Sequence, residues 1–285
     1  MVTSPKTIVL LLVLFACWFG TLVLVLTACL RICNVKLGLG ENVLLNAYST
    51  YLNYFLPGQG GIVLRGLYLK ARQSLPIYRY LIATLAYYVF YSVVSVALLL
   101  GGVRTWWQTA IGIVLVSAGA YSGARLYARR RNLSPRGLNF SLENLAYLAL
   151  ATSLQAIFQF LLYWVELDTI VHGLKIGQVM SYTGAANFAL FVSLTPGAIG
   201  IRESFLFFSQ RLNHITNAAI VGANVLDRTV YVIFLGLIFI VLLIIRGKTI
   251  FSFRQGLVKA QPSKPLTPNV PATVLEQVVR PSHSK

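Results

Sequence analysis

The chain has 285 residues, of which 57% are hydrophobic and only 11% are charged, and its mean hydropathy is +0.73. A water-soluble fold needs more charge to cover its surface, and several apolar runs here reach the roughly 20 residues that cross a bilayer. The composition therefore excludes a soluble domain and predicts an all-α integral membrane protein with several spans.

The net charge is +17. The basic residues cluster in the loops between apolar runs, as the positive-inside rule expects of a cell-membrane protein. The chain has no recognisable nucleic-acid-binding module, so the charge does not indicate a nucleic acid partner.

The first half of the chain contains long apolar runs and one short amphipathic stretch. In chain order, the predicted elements are a span at 7–30, an apolar and aromatic segment at 42–56, an amphipathic stretch at 61–72, and spans at 76–101 and 106–128. The segment at 42–56 stops at Pro57-Gly58, a pair of residues that interrupts helices.

The second half repeats this order. It has a span at 143–165, an apolar segment at 174–195 that stops at Pro196-Gly197, a short stretch at 202–213, and a final span near 215–245. Residues 246–285 are polar and rich in proline, which predicts a disordered cytoplasmic tail. We therefore divide the chain into a membrane domain, 1–245, and a tail, 246–285.

The most basic loop, "RLYARRRNLSPR" at 125–136, fixes the predicted topology. If this loop is cytoplasmic, the amino terminus lies outside, the loop with Glu166, Asp168 and His172 lies outside, and the carboxyl terminus lies inside. This assignment is self-consistent only if 42–72 and 174–213 each enter and leave on the same side. Both contain a second stretch of about 12 residues, which is too short to span.

These two segments carry related sequences, "NYFLPGQGGIVLR" (53–65) and "FVSLTPGAIGIRE" (191–203). Gly61 follows the first Pro-Gly pair as Gly200 follows the second, and the topology gives the two copies opposite orientations. Interrupted hydrophobic segments in inverted halves indicate a transporter's binding site, so we predict two inverted repeats, each with a broken re-entrant hairpin. The alternative is that both Pro-Gly pairs are ordinary kinks and that the glycines allow close helix contact.

Four charges stand at membrane depth in the second half. Arg202 and Glu203 open a helix, and Asp227 and Arg228 lie inside the final span. Buried charges must be neutralised, so we expect two ion pairs across these helices. The charges form either a purely structural clasp or a site in which the arginines meet an anionic head group, which free amides at the start of 202–213 would also attract.

At these residues the chain resembles the flippase-like transmembrane family, also described as the transmembrane region of lysylphosphatidylglycerol synthases. The resemblance covers about 7–245 and implies movement of aminoacylated, polyprenyl or glyco-lipids across the membrane. The motifs and the charges together assign a ligand-binding site to Asn53, Pro57, Gly58, Gly61, Arg65, Pro196, Gly197, Gly200, Arg202, Glu203, Asp227 and Arg228.

The first half departs from the family pattern. Ile62 stands where the family often carries an acid, and Ala86, Tyr87 and Tyr88 occupy the start of the next span, where acid and arginine are common. The two halves are therefore electrostatically unequal.

The leading hypothesis is a protein that binds and flips an anionic, glyco- or aminoacyl-lipid. The alternative is a non-transporting membrane subunit that anchors or regulates a glycosyltransferase or lipid synthase. A membrane enzyme acting on lipid phosphate is disfavoured because His172, His214 and His283 join no acidic cluster of metal-ligand spacing. We therefore expect no enzyme activity, metal or cofactor. Because the sequence contains no P-loop, transport driven by ATP would need a partner protein that binds ATP.

The charge pattern makes a topology prediction. In a variant whose native cysteines are replaced, a single cysteine at position 130 should react with a membrane-impermeant maleimide only after the cells are opened, because the basic loop stays inside. Labelling of this cysteine in intact cells would contradict the topology.

Overall fold

The computed structural model describes residues 4–56, 60–101, 137–191 and 200–259, and this part of the chain forms helices joined by short connections. The helices are α1 (Pro5–Ile32), α2 (Leu39–Phe55), α3 (Gly60–Gln73), α4 (Ile77–Gly101), α5 (Leu142–Asp168), α6 (Ile176–Phe191), α7 (Ile201–Asn213) and α8 (Asn217–Lys259). The predicted span at 106–128, Pro57-Gly58 and Pro196-Gly197 lie outside the described residues. The chain divides into two compact units, Met1–Phe239 and Ile240–Lys285, and the candidate site lies within the first.

Within the described residues, four helices are long and apolar enough to cross a membrane: α1, α4, α5 and the part of α8 at Asn217–Ile244. The prediction of a multi-span helical membrane protein is confirmed by these helices, which match the predicted spans on described residues. α2, α3, α6 and α7 have 17, 14, 16 and 13 residues and fall short of a full span. α8 continues to Lys259, beyond the predicted end of the last span near residue 245.

Local sequence signals explain where the helices begin. Pro5 occupies the first position of α1, where its missing amide costs no hydrogen bond. α5 starts after Ser141, whose hydroxyl accepts a hydrogen bond from the Asn144 amide at 3.3 Å. α7 starts after Gly200, whose φ of 82° lies in the left-handed region that favours glycine.

Three clusters of buried side chains hold the bundle together. One joins α1 to α4 with the start of α5 and includes Leu26, Leu45, Leu69, Tyr80 and Leu148. A second joins α5, α6, α7 and α8 and includes Leu167, Val179, Tyr182, Leu206 and Ile220. The third, which includes Leu11, Phe15, Leu162, Val230 and Phe234, links α1, α5 and α8. The two halves of the sequence therefore have separate cores that are connected through α1, α5 and α8.

The distribution of polar residues is that of a membrane protein. Large apolar side chains such as Val9, Leu150 and Val225 are exposed, while Asn46 and Thr152 are wholly buried. Because lipid tails are as apolar as leucine, burying leucine gives little drive to association in a bilayer, and buried polar contacts assist close packing.

One sequence-based boundary is wrong. The apolar run predicted a span at 143–165 with Glu166 in an outside loop, but α5 continues to Asp168 and Glu166 is wholly buried in its last turn. Both oxygens of its carboxyl are buried and have no hydrogen-bond partner among the described residues. The apolar pattern gave the wrong end because this acid belongs to the polar interior of the bundle.

Gly61 of α3 lies close to the backbone of α2. Its amide donates a hydrogen bond to Asn53 Oδ1 at 2.8 Å, which satisfies one of the unpaired amides at the start of α3. A Cβ at this position would lie 2.4 Å from the Ser49 carbonyl oxygen and 2.6 Å from Asn53 Oδ1. The hairpin therefore requires glycine here.

We predict that Gly61→Ala destabilises the protein by about 1–3 kcal/mol, because overpacking must push α3 away from α2. The control is Gly20→Ala in α1, where a Cβ meets nothing within 4 Å and the change favours the helix. Thermal unfolding in detergent should show a lower midpoint for Gly61→Ala alone, and equal midpoints would contradict the close approach.

Candidate functional site

A cavity of about 260 Å³ lies inside the first unit, and helices of both halves line it. Its charged lining residues are Arg65 of α3, Arg202 of α7, and Asp227 and Arg228 of α8. Aromatic side chains form much of the remaining wall, among them Phe15, Trp18, Tyr54, Tyr80, Tyr87, Tyr88, Tyr91, Tyr163 and Tyr231. The fold thus brings predicted site residues that are far apart in sequence to a single space.

Arg202 and Asp227 form a buried ion pair that joins α7 to α8. Arg202 Nη1 donates to Asp227 Oδ2, and the two residues are each only 8% exposed. The guanidinium also lies over the Tyr163 ring, 5.1 Å from its centroid. Arg202 Nε and Nη2 are buried and have no hydrogen-bond partner among the described residues. The pair neutralises the charge but uses only part of arginine's donor capacity.

Glu203 and Arg228 form a second pair between the same helices. Arg228 Nη2 donates to Glu203 Oε1 at 2.7 Å, and the Gly200 amide donates to Glu203 Oε2 at 2.7 Å. The predicted neutralisation of the four charges by two ion pairs is therefore confirmed. The contact with Glu203 Oε2 occupies the Gly200 amide, because Glu203 caps its own helix.

Glu203 stays charged at neutral pH. Partial burial alone would raise the pKa of its carboxyl, but hydrogen bonds from backbone amides and from Arg228 outweigh that effect and lower the pKa below its ordinary value. The Arg228 pair is therefore an ionic contact at physiological pH.

Arg65 has a different environment in the first half. Its Nε donates to Ser49 Oγ at 2.9 Å, and its Nη2 donates to Asn46 Oδ1 at 2.8 Å. Asn46 Nδ2 in turn donates to Asn42 Oδ1 at 2.7 Å, which continues the neutral network along α2. No carboxylate of the described residues forms an ion pair with Arg65. Neutral oxygens orient this guanidinium and leave its positive charge uncompensated.

A set of phenol and amide groups crosses the cavity wall between α4 and α5. Tyr87 OH donates to Gln155 Oε1 at 3.2 Å, and Tyr91 OH donates to Gln159 Oε1 at 2.9 Å. Gln159 Nε2 then donates to Tyr163 OH at 3.2 Å. We call these five residues the phenol–amide ladder. They face the cavity because Tyr87 and Tyr91, like Gln155, Gln159 and Tyr163, recur at the four-residue spacing of one helix face.

The predicted site residues divide into three groups. Asn53, Arg65, Arg202, Asp227 and Arg228 line the cavity. Gly61, Gly200 and Glu203 support these residues by close approach and capping. Pro57, Gly58, Pro196 and Gly197 lie outside the described residues.

Glu166 and the ladder residues are not among the site residues that the sequence predicted. Polar residues at four-residue spacing inside an apolar span were the available signal, since Gln155, Gln159 and Tyr163 share one face. No group of three His, Cys, Asp or Glu side chains in the described part of the chain is arranged to hold a metal ion.

A known family of membrane proteins matches most of the chain. The family model described as the lysylphosphatidylglycerol synthase TM region matches residues 3–239. The chain belongs to this family. The matched range includes every residue that lines the cavity. No curated protein and no solved structure matches the chain.

The contribution of the ion pairs between α7 and α8 to the stability of the protein can be tested. We predict that Asp227→Asn alone destabilises the protein by about 3–5 kcal/mol, because it leaves Arg202 buried without a counter-ion. Adding Arg202→Gln should recover part of the loss, since the double variant contains no unpaired charge.

Arg72→Gln is the control for this experiment. It removes the exposed Arg72–Glu41 contact, whose atoms lie 3.5 Å apart, with the Arg72 side chain 68% exposed. Its effect should stay within about 1 kcal/mol. Thermal unfolding in detergent measures Asp227→Asn, Arg202→Gln, the double variant and Arg72→Gln, and additive losses from the two buried substitutions would show that the pair is not coupled.

Proposed function

We propose that the chain binds the anionic head group of a membrane lipid in this cavity and moves it across the bilayer. The observation that carries the proposal is Arg65, a cavity-lining arginine held by neutral oxygens and unpaired with any carboxylate of the described residues. Arg65 is half-buried, and a cation at membrane depth without a counter-ion is costly, so a ligand anion would offset that cost.

The charge balance of the site supports an anionic ligand. Arg65, Arg202 and Arg228 face the cavity, and Asp227 and Glu203 form ion pairs with Arg202 and Arg228 respectively. Arg65 is the cavity-lining arginine that forms no ion pair with a described carboxylate. Arg202 adds the buried donors at Nε and Nη2, and arginine's planar fork suits phosphate oxygens.

The size and walls of the cavity favour a lipid head group over a whole lipid. A space of about 260 Å³ is small for a molecule with two acyl chains, which would remain among the exposed apolar faces. The family's name refers to a synthase of lysylphosphatidylglycerol, whose phosphodiester is an anion of this kind.

We infer that the two halves are inverted repeats and that α2–α3 and α6–α7 are re-entrant hairpins. All four helices are too short to span, and a Pro-Gly pair follows α2 and α6 in the sequence. Such hairpins let irregular backbone reach membrane depth where protein surrounds it. The loop charges support a topology with the amino terminus outside and the carboxyl terminus inside.

Reconstitution tests the proposal. Proteoliposomes containing the full chain should move fluorescent phosphatidylglycerol between leaflets faster than protein-free vesicles, and faster than they move fluorescent phosphatidylcholine. Reduction of outer-leaflet label by dithionite measures the rate. Arg65→Gln should lower the rate about tenfold or more, because a buried charged hydrogen bond contributes about 1.5–3 kcal/mol.

Two further variants separate charge from geometry. Arg202→Lys keeps the charge and loses the bidentate fork, so it should also slow phosphatidylglycerol movement in a folded protein. Lys70→Gln, on the same helix as Arg65 but outside the cavity lining, is the control and should keep the wild-type rate. No movement by the wild-type protein would defeat the transport proposal and favour the non-transporting subunit that the sequence also allows.

A further inference from the structure

The phenol–amide ladder connects the two arginine environments of the cavity. At one end, Tyr87 lines the cavity together with Arg65. At the other end, the Tyr163 ring lies under the Arg202 guanidinium. Between them, each ladder group is neutral and forms a hydrogen bond with another ladder residue.

The ladder extends along the bundle. Gln155 and Tyr163 are about two helical turns apart, which corresponds to about 12 Å along α5. The Tyr87–Gln155 end of the ladder therefore lies at a different depth from the Tyr163 end, which lies under Arg202.

We propose that the ladder is the route along which the lipid phosphate passes between an Arg65 subsite and an Arg202 subsite at a different depth in the bundle. This inference rests on the proposed transport function and adds to it the path and the residues that form it. The ligand class is a phosphate-bearing head group whose oxygens accept hydrogen bonds from the Tyr91 hydroxyl and the Gln159 amide.

The chemistry of the ladder suits passage rather than retention. A phosphate without hydrogen bonds in a low-dielectric interior is very costly, so the space between the arginines must supply donors. Phenol hydroxyls rotate and amides donate two hydrogens, so both can exchange an internal partner for a phosphate oxygen. A third cation at this point would hold the anion, whereas conduction requires binding weak enough to release it.

Arg202 has an arrangement that fits an end point of this route. Asp227 holds one side of its guanidinium, while Nε and Nη2 remain buried and without a described partner. The fixed pair keeps Arg202 in place over Tyr163, and the remaining donors are available to a phosphate that reaches the end of the ladder.

The experiment compares binding with movement in the full-length protein. The main variant is Tyr91→Phe with Gln159→Leu, which removes the middle of the ladder without changing any charge. Native mass spectrometry in detergent counts the retained phosphatidylglycerol, and the dithionite assay in proteoliposomes measures its movement. We expect movement to fall at least about tenfold while retention stays within about twofold, because both arginine subsites remain.

Two comparisons make the result specific. Arg65→Gln should reduce retention as well as movement, because it removes a subsite. Tyr147→Phe also removes a phenol hydroxyl, on α5 but outside the cavity, and should change neither quantity. If the double variant unfolds, Tyr91→Phe alone replaces it in both assays, because this change deletes one oxygen and preserves the ring contact with Tyr87.

The possible failures are distinguishable. Wild-type protein that moves no phosphatidylglycerol overturns the proposed function, and the route with it. An active wild type with an equally active, folded ladder variant overturns the route and leaves the proposed function standing. Equal losses of retention and movement in the ladder variant would show that these residues only form a binding site.

Discussion

The ion pair between Arg202 and Asp227 is the contact on which the second half of the bundle depends. It joins α7, a helix too short to span, to α8, and it does so where water cannot screen or solvate a lone charge. The Glu203–Arg228 pair lies on the adjacent residues of the same two helices and fixes their register. Burying each of these charges costs free energy that the oppositely charged partner offsets, so the pairs hold the two helices in position together. The Tyr163 ring of α5 completes the environment of Arg202.

The first half solves the same problem with neutral groups. Arg65 is held by Ser49 and Asn46 of α2, and Asn42 extends that network. A neutral acceptor orients a guanidinium without cancelling its charge. Because Ile62 replaces an acid, the sequence predicted that the two halves differ in charge. In the structure both halves present an arginine to one cavity, but only in the second half does a described carboxylate neutralise it.

Several features followed from residue patterns alone. The apolar runs located α1, α4, α5 and the start of α8, since only a helix of about 20 residues satisfies its backbone across a bilayer. Burying an unpaired charge in a membrane costs free energy, so the sequence predicted two ion pairs among Arg202, Glu203, Asp227 and Arg228. The family followed from the motifs "LPGQG" and "PGAIGIRE", and the family match over residues 3–239 confirms it.

The sequence by itself determined the membrane class, the positions of the spans on described residues and the need to neutralise buried charge, because these depend on length, hydropathy and electrostatics near one residue. Tertiary structure alone decided which acid pairs with which arginine, that Glu203 caps its own helix, that Glu166 is an interior residue, and that phenols of α4 meet amides of α5. These facts depend on how helices distant in sequence rotate and pack against one another. The residue pattern of a helix shows that one of its faces is polar, but only packing determines which polar group of another helix lies opposite that face.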